Sequence, residues 1–378
     1  MTAKSVLVSG ASVAGITTAY WLAQHGYSVT VVERNPGLRM GGQAIDVRGP
    51  ALSVLERMRL RAAANHRRTR MWGASVVDRD GNELSQDTES TPTGGPIASP
   101  DIELLRDDLV ELLYEETQLD VEYLFDDSIA ALDDDGTAVR VTFERADARS
   151  VDLVIGADGL HSNVRRLVFG AEDQFIERLG THAAIFTVPN FLDLDYWQTW
   201  HYGDSTMAGV YSARDNTEAR AMLGFMDSEL RLDYRDTEAQ FAELERRMAD
   251  DGWVRPQLLE YMRQAPDFYF DEMSQIKMDR WSRGRVALVG DAGYCCSPLS
   301  GQGTSVALLG AYILAGELKA ASQSGELDYE RGFANYRNEF QDYVQRNQWL
   351  VVDNIPGGAP IPQEVFDRIV RSIELKDY

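Results

Sequence analysis

The sequence has little cysteine and little histidine, and neither residue is arranged as a metal site. Its only two cysteines, Cys295 and Cys296, are adjacent and therefore poorly placed for a structural disulfide. The five histidines are scattered along the chain and match no zinc-binding spacing. The sequence thus predicts neither a metal centre nor a disulfide framework.

Positive charge is scarce as well. The chain carries 37 lysines and arginines against 60 aspartates and glutamates, which gives a formal net charge of −23 at pH 7. Such a protein repels a phosphate backbone or an anionic membrane. We therefore expect no nucleic-acid partner, and because the acidic residues are spread along the chain we expect them to form a solvated surface.

Long hydrophobic runs are the third feature that the sequence lacks. No apolar stretch approaches the roughly 20 residues that span a bilayer, and the apolar run near the N-terminus is too short for the core of a signal peptide. We expect a cytoplasmic protein without a membrane span. At 378 residues, of which 44% are hydrophobic, the chain exceeds one typical domain, so two domains are expected.

Three glycine-punctuated segments are prominent instead. They are GASVAG at residues 10–15, DLVIGADG at residues 152–159, and GDA at residues 290–292 followed by GQG at residues 301–303. Each segment alone is weak evidence, but each suits a different part of one flavin dinucleotide. Their occurrence together, in this order, predicts FAD chemistry.

The first segment lies inside a βαβ pattern. Residues 5–9 and 28–32 are typical of buried parallel strands, and residues 14–25 are typical of the helix between them. Gly10 permits a tight turn, and Gly15 permits close packing of the helix on the sheet, so a pyrophosphate fits the helix N-terminus. Ser12 replaces the middle glycine of the strict pattern. Glu33 follows Gly10 by 23 residues, where an acid binds a ribose hydroxyl.

The late segment precedes an apolar helix predicted over residues 304–321. Gly301 and Gly303 leave backbone N–H groups uncovered at the start of that helix. A helix N-terminus carries about half a positive charge, which suits the anion that a reduced flavin develops.

The remaining chain shows a change of pattern along its length. We predict a hairpin at 71–86 with a turn at Asp80-Gly81, a loop at 88–100, and a helix at 101–117 capped by Asp101. Four aromatic-rich strands within residues 181–226 predict a largely antiparallel sheet. Further elements are predicted as a helix at 237–250, a strand at 285–289, a helix at 329–352, an interruption at 356–358 and a helix at 363–374.

These motifs resemble a known family, the single-component (class A) FAD-dependent aromatic hydroxylases with the para-hydroxybenzoate hydroxylase fold. The resemblance covers roughly half the chain, includes the GLHSNVR continuation at residues 159–165, and is nearest to the compact tetracycline-inactivating monooxygenases. The loop at residues 41–46 is similar to one that brings an aspartate to the flavin in that branch. Tyr294 departs from the family, since many relatives have histidine there, and no role of that histidine is transferred.

The resemblance implies a role for each matching residue. Glu33 is expected to hold the adenosine ribose, Arg106 to approach the ribityl–phosphate region, Asp158 to lie between FAD and the nicotinamide cofactor, and Asp291 to bind the ribityl chain. Pro298 is expected beside the isoalloxazine ring, and Arg39 at the nicotinamide cofactor. The full expected cofactor site is Gly10, Ser12, Ala14, Gly15, Glu33, Arg34, Arg39, Asp46, Arg106, Asp158, Asp291, Pro298, Gly301, Gln302 and Gly303.

The fold class that follows is α/β. A Rossmann-like, glutathione-reductase-type (GR2) FAD-binding domain is expected to interleave with a mainly antiparallel β-sheet substrate domain and to be followed by C-terminal helices. The expected FAD-binding domain comprises residues 1–70, 98–175 and 276–325, and the substrate domain comprises residues 71–97 and 176–275. The C-terminal helical segment is expected over residues 326–378.

The implied activity is that of a monooxygenase. NADPH or NADH reduces FAD, dioxygen adds to give a C4a-hydroperoxyflavin, and an aromatic or polycyclic small molecule is hydroxylated. The flavin performs the chemistry, so no catalytic side chain is expected. Trp197, Trp200, Tyr211 and Phe225 are candidates for a substrate roof, although aromatic residues in a half-buried sheet are equally typical of core.

Alternatives remain open at this point. The same fold supports a reductase or dehydrogenase that moves hydride without inserting oxygen, and a flavoprotein that serves only as an interaction module is a third interpretation. The sequence also leaves open hydroxylation against Baeyer–Villiger oxidation, NADPH against NADH, and a monomer against a homodimer.

Overall fold

The computed structural model describes residues 3–249, 252–322, 326–353, 358 and 360–378. The strands, in chain order, are β1 (Ser5–Ser9), β2 (Ser28–Glu33), β3 (Ala44–Val47), β4 (Gly73–Val77), β5 (Glu83–Asp87), β6 (Ser90–Thr91), β7 (Gly95–Pro96), β8 (Ile102–Leu105), β9 (Glu122–Phe125), β10 (Ile129–Asp134), β11 (Val139–Phe143), β12 (Arg149–Val151), β13 (Leu153–Gly156), β14 (Ile176–Val188), β15 (Trp197–Tyr202), β16 (Thr206–Ala213), β17 (Glu218–Met226), β18 (Tyr269–Ile276), β19 (Ser282–Arg283) and β20 (Val286–Leu288).

The helices lie between groups of these strands. They are α1 (Val13–Gln24), α2 (Ala51–Arg57), α3 (Arg61–His66), α4 (Arg106–Glu115), α5 (Asn163–Val168), α6 (Thr237–Met248), α7 (Arg255–Gln264), α8 (Asp291–Tyr294), α9 (Gly303–Ala321), α10 (Tyr329–Trp349) and α11 (Gln363–Val370). Short 3₁₀ helices lie at Glu172–Gln174, Pro298–Ser300 and Leu350–Asp353.

The first layer is a six-stranded sheet in the order β19-β20-β13-β1-β2-β9. Strand β1 pairs in parallel with β2 and with β13, and β13 pairs in parallel with β20. Helix α1 connects β1 to β2, which confirms the predicted βαβ unit. The strands are rich in valine, leucine and isoleucine because helices or a second small sheet cover both faces.

The helix α9 is the centre of the core that covers this sheet. It packs against α1 and α10. Contrary to the expectation from the sequence, one apolar stretch does reach nearly 20 residues, because α9 is long and apolar enough for a membrane span by length and composition. However, 83% of the apolar stretch of α9 is buried inside the protein, which is typical of a core helix.

The second layer is a seven-stranded sheet in the order β18-β14-β17-β16-β15-β4-β5. Pairing is antiparallel except between β15 and β4, which confirms the sheet predicted over residues 181–226 and the hairpin at 71–86. Helices α6 and α7 pack on one face through an aromatic and aliphatic cluster. The opposite face meets β3, which pairs with β8 in a separate two-stranded sheet.

The predicted helix over residues 101–117 is wrong in its first turn. Residues Ile102–Leu105 form β8, which pairs with β3, and helix α4 begins only at Arg106. Asp101 therefore caps no helix and instead accepts a hydrogen bond from the Gly49 N–H. The backbone hydrogen bonds between β8 and the distant strand β3 determine the conformation of residues 102–105, although their local pattern is helical. The predicted loop at 88–100 contains the short β6–β7 hairpin.

The C-terminal part is helical as predicted, with shifted ends. Helix α10 passes into a 3₁₀ turn, and α11 ends at Val370 rather than at residue 374. Pro356 and Gly357 of the predicted interruption lie outside the described residues, as does Asp250, the predicted end of the helix that begins at Thr237. Helix α7 had not been predicted.

Candidate active site

The three glycine segments, which are far apart in the chain, meet at one edge of the parallel sheet. A Cβ atom on Gly10 would lie 2.5 Å from the Ala157 carbonyl oxygen, and one on Gly290 would lie 2.7 Å from the Ala14 Cβ. Both glycines have positive φ, +108° and +65°, so each combines a turn with a close approach. The first segment thus contacts both of the others directly.

Helix α1 begins at this meeting point with its N–H groups uncapped. Ser12 is the N-cap residue, but its side chain makes no capping hydrogen bond, and the first turn holds no acidic residue. Gly15 packs against the Gly10 carbonyl, which holds the helix start close to the turn. The arrangement fits a phosphate, because uncapped N–H groups and the positive end of the helix dipole face the same point.

Glu33 ends β2 and holds the glycine turn in place. Its carboxylate accepts hydrogen bonds from the Ala11 N–H at 2.9 Å and from the backbone N–H and side-chain amide of Asn35 at 2.9 and 2.8 Å. The predicted ribose acid is therefore in position beside the turn. Arg34, next to it, is exposed.

Asp158 is occupied by contacts within its own segment. Its two carboxylate oxygens accept hydrogen bonds from the Ser162 hydroxyl and, at 2.9 Å, from the Val164 N–H. Burial raises the pKa of this carboxyl, while the Ser162 hydrogen bond opposes the rise. The side chain shapes the turn into α5, and its contact with both cofactors stays a prediction.

Asp291 opens α8 directly after Gly290. Its side chain is solvent-exposed, and desolvation by the surrounding residues raises the pKa of the carboxyl, while a hydrogen bond with Cys295 opposes the rise. The charge of Asp291 acts on Tyr269, which also interacts with Arg39 and Arg106, and we call the region that these four residues border the groove. A carboxylate in that position is suited to accept hydrogen bonds from ligand hydroxyl groups.

Arg106, the first residue of α4, is buried beside the same groove. Its Nη2 donates to the carbonyl oxygens of Arg39 at 2.6 Å and Gly41 at 2.7 Å, while its buried Nε–H has no partner among the described residues. Burial and the nearby Arg39 charge lower the pKa of this guanidinium to about 9. A buried donor without a partner is costly in a folded protein, so the site fits an acceptor-rich ligand.

The start of α9 also has buried polar groups without a hydrogen-bond partner among the described residues. Gln302 is fully buried, and neither its amide oxygen nor its amide nitrogen has a hydrogen-bond partner in the described part of the chain. Cβ atoms built on Gly301 and Gly303 would meet nothing within 4 Å, so protein packing does not require glycine there. Pro298, one turn earlier, is exposed. These residues fit the edge of a flat ring that lies against the helix N-terminus.

Asp46 differs from its expected orientation. Its carbonyl oxygen accepts a hydrogen bond from the Ser305 hydroxyl in the first turn of α9, so the backbone of β3 borders the site. Its buried carboxylate, however, forms an ion pair with Arg48 at 2.8 Å. Burial raises the pKa of the carboxyl to about 7, against the opposing charge of Arg48 and with help from Glu103.

The four candidate roof aromatics fall on two faces of the seven-stranded sheet. Trp200 and Tyr211 form a cluster on the face toward the groove, where the Tyr211 hydroxyl accepts a hydrogen bond from the Ala44 N–H at 3.0 Å. Phe225 lies on the other face, stacked on His182 and packed under α6. The interpretation of Phe225 as roof is therefore wrong.

Trp197 is also on the far side. Its indole N–H donates to the Ser75 hydroxyl at 3.0 Å, and its ring packs on Gly73 at the β15–β4 edge. Side chains alternate along a strand, so Trp197 and Trp200, three residues apart on β15, point to opposite faces. The aromatic count gave no information on which face each residue occupies.

Two residues that had not been singled out lie at the groove. Arg220 is fully buried on β17 and donates its Nε–H to the Gly42 carbonyl at 3.2 Å. Tyr269, at the start of β18, lies with its ring under the Arg39 guanidinium at 5.2 Å. A signal was available for Arg220, because an arginine within the alternating apolar strand 218–226 requires a polar partner.

Tyr294 is a core residue. Its hydroxyl hydrogen-bonds the Tyr336 hydroxyl at 2.7 Å and fills the space left by Gly310, where a Cβ would lie 2.0 Å from the same oxygen. The position that departs from the family pattern thus stabilises the contact between α8, α9 and α10.

Comparisons with known proteins agree with this geometry. The FAD binding domain family matches residues 3–347. The chain is 81% identical over 375 residues to an uncharacterized protein of Mycobacterium tuberculosis (strain ATCC 25618 / H37Rv), covering 99% of this chain and 100% of that one.

Two further similarities are to proteins with a stated activity. A flavin-dependent monooxygenase from an unknown prokaryotic organism is 41% identical over 390 residues, covering 99% of each chain. The crystal structure of tetracycline destructase Tet(51) superposes with a TM-score of 0.89 at 34% identity, covering 100% of both chains.

Proposed function

Since this chain belongs to the FAD binding domain family and is an FAD-dependent oxidoreductase, we propose that it is a monooxygenase that uses NAD(P)H and dioxygen to hydroxylate an aromatic or polycyclic small molecule. The observation that carries the proposal is the meeting of the three glycine segments around two uncapped helix starts. The buried Arg106 Nε–H and the Gln302 amide, which have no hydrogen-bond partner among the described residues, also support it.

Each end of the groove suits one part of FAD. The N-terminus of α1 would hold the pyrophosphate, and Glu33 the adenosine ribose. Asp291 and Arg106 would bind the ribityl chain and its phosphate, since one offers acceptors and the other a donor that has no partner in the described part of the chain. The backbone from Pro298 to Gly303 would border the isoalloxazine ring.

Bound FAD would supply the redox chemistry, namely acceptance of hydride from NAD(P)H and activation of dioxygen. The protein's task is then to bind, to orient and to exclude water. The N–H groups at the start of α9 would stabilise negative charge on the edge of a reduced ring bound there. The buried apolar cluster of Trp200 and Tyr211 would help to exclude water from the groove.

The substrate class follows from the face of the second sheet that meets the groove. Trp200 and Tyr211 form a buried apolar layer on that face, and the buried Arg220 lies beside Gly42 and pairs with Glu218 at 2.8 Å. An aromatic or polycyclic molecule is compatible with an apolar layer of this kind. The named activities of the similar proteins, a monooxygenase and a tetracycline destructase, support the same class.

Isotope labelling tests the proposal. The purified holoenzyme is given NAD(P)H, a panel of phenolic and polycyclic substrates, and ¹⁸O₂, and the products are analysed by mass spectrometry. We expect one labelled oxygen atom per product molecule and no product under strict anaerobiosis. Unlabelled product formed at the same rate without oxygen would establish the reductase alternative instead.

A further inference from the structure

A histidine outside the expected cofactor site is held between two carboxylates. The Nδ1 atom of His161 lies 3.0 and 3.1 Å from the carboxylate oxygens of Glu172, and its Nε2 lies 3.1 and 3.3 Å from those of Asp271. The Tyr234 ring stacks on the imidazole at a centroid distance of 3.9 Å and an interplanar angle of 4°. Both ring nitrogens and one ring face are therefore engaged.

This geometry favours the doubly protonated imidazolium. With a carboxylate at each nitrogen, both must donate, and the two acids raise the pKa of His161 to about 9 although burial opposes the rise. The two carboxylates also interact with other groups. The positive charges of Arg165 in α5 and Arg178 in β14 act on Glu172, and the Tyr269 hydroxyl donates a hydrogen bond to Asp271.

The bridge joins two layers of the fold. His161 belongs to the tail of the middle glycine segment, three residues after Asp158, whereas Asp271 lies on β18 of the seven-stranded sheet. On the other side Glu172 pairs with Arg165 at 2.9 Å, and Arg165 donates to the Ala292 carbonyl at 2.9 Å, directly after Asp291. The histidine thus connects the second sheet to the segment that carries the groove carboxylate.

Beyond Asp271 the contacts lead into the groove itself. The Tyr269 hydroxyl donates to the Asp271 carboxylate at 2.9 Å, and the Arg39 guanidinium lies over the Tyr269 ring. The Arg39 carbonyl accepts the hydrogen bond from Arg106. The charges of Arg39 and Asp291 both act on the Tyr269 hydroxyl, which places the tyrosine at the groove.

We propose that His161 is a positioning residue that, held between Glu172 and Asp271, fixes the Tyr269 ring and through it the Arg39 guanidinium where the reductant enters the groove. The inference rests on the proposed function, because it takes Arg39 as a contact of the pyridine nucleotide. His161 itself touches neither cofactor, since its ring nitrogens are both taken by carboxylates.

The first measurement needs no cofactor. ¹H–¹⁵N NMR of the His161 ring in the apoprotein is expected to show both nitrogens protonated at pH 8, and to lose this pattern in Glu172→Gln and Asp271→Asn. A neutral ring at pH 8 in the wild-type protein would overturn the proposal.

The second measurement separates positioning from mere stability. Stopped-flow reduction of the holoenzyme flavin is followed under anaerobiosis for His161→Ala, Tyr269→Phe, the double variant, and His66→Gln as a matched control on exposed α3. We expect His161→Ala to raise the half-saturating NAD(P)H concentration about tenfold, with the limiting rate and the FAD dissociation constant within about twofold of wild type. Tyr269→Phe should move the same constant, and the double variant should add little, because both act on one contact.

Three results would contradict the inference. Loss of thermal stability in His161→Ala with unchanged half-saturation would make His161 purely structural, and additive effects with Tyr269→Phe would break the path through Asp271. An unchanged half-saturation in Arg39→Ala would also overturn the inference, while the labelled-oxygen result would still decide the proposed function by itself. His161→Gln, which keeps one hydrogen bond, should recover part of the affinity lost in His161→Ala.

Discussion

The two sheets of the molecule place functional groups in different ways. At the edge of the six-stranded, mostly parallel sheet the site is built mainly from backbone: a Cβ atom on Gly10 or Gly290 would lie less than 3 Å from the neighbouring segment, and the helix starts have no side-chain caps. On the seven-stranded sheet it is built from side chains that alternate between a groove face and a core face. Close backbone approaches such as those at Gly10 and Gly290 leave no room for a side chain, whereas side-chain sites depend on which face a residue occupies.

The sharpest test of the backbone site is Gly290→Val. A Cβ there would lie 2.7 Å from the Ala14 Cβ, and φ of +65° with ψ of −145° is unfavourable for a branched residue. Overpacking and backbone strain together are expected to cost about 3 kcal/mol or more, with loss of bound FAD. Thermal unfolding and the flavin absorbance of the purified protein measure both.

Gly37→Ala is the control for that variant. Gly37 has open space around its Cβ position and no positive φ, so its replacement should leave the melting temperature and flavin content unchanged. Retention of full FAD in Gly290→Val would show that the two segments need not touch.

Asp291→Ala tests the solvent-exposed carboxylate of the third glycine segment. Removal of a charged acceptor from ligand hydroxyls is expected to weaken FAD binding by about 1.5–3 kcal/mol, with the fold intact because the side chain is exposed. Fluorescence titration of the apoprotein with FAD measures the dissociation constant, and Asp291→Asn should retain part of the affinity. Wild-type affinity in the alanine variant would remove Asp291 from the site.

Two substitutions of aromatic residues on the seven-stranded sheet should distinguish the role of its core face from that of its groove face. Phe225→Leu is expected to lower stability by about 1 kcal/mol without affecting substrate KM, because the ring lies under α6. Trp200→Leu, on the groove face, should raise substrate KM. Urea unfolding measures the stability of both variants, and steady-state kinetics measure their substrate KM. A raised KM in Phe225→Leu with an unchanged KM in Trp200→Leu would contradict the assignment of the two faces.

A pH series on His161→Gln gives the smallest expected effect. The pKa of about 9 lies above the ordinary value of 6.5, so the bridge contributes fully below pH 6.5 and is lost as the pH rises through 9. The stability difference between wild type and variant should therefore shrink by about 1 kcal/mol between pH 8 and pH 9. A difference that grows over this interval would contradict a bridging imidazolium.

The sequence predicted the backbone part of the site because local patterns determine it. Turns that need glycine, a strand before them and a helix after them are visible within 30 residues, so the βαβ unit and the start of α9 were located correctly. The orientation of Asp46 toward Arg48 was not predicted, although the two residues are two positions apart on and just after β3 and therefore share a face.

The features that the sequence did not predict depend on pairing between distant segments of the chain. Residues 102–105 look helical by themselves and became β8 only because β3 lies beside them. The faces of Trp197 and Phe225 depend on strand register, and the His161 bridge joins residues 110 positions apart. Each of these features depends on which distant segment is adjacent, and one sequence does not contain that information.

The contact between Gly290 and Ala14 also bears on when the protein can acquire its flavin during synthesis. The early and late segments of the site are separated by most of the chain, and ribosomes add roughly 5–20 residues per second. The first βαβ unit therefore waits on the order of tens of seconds before the segment that completes its binding edge has been translated. Cofactor loading is thus a late event, and a chain that is truncated before residue 290 is expected to leave the ribosome as a colourless apoprotein.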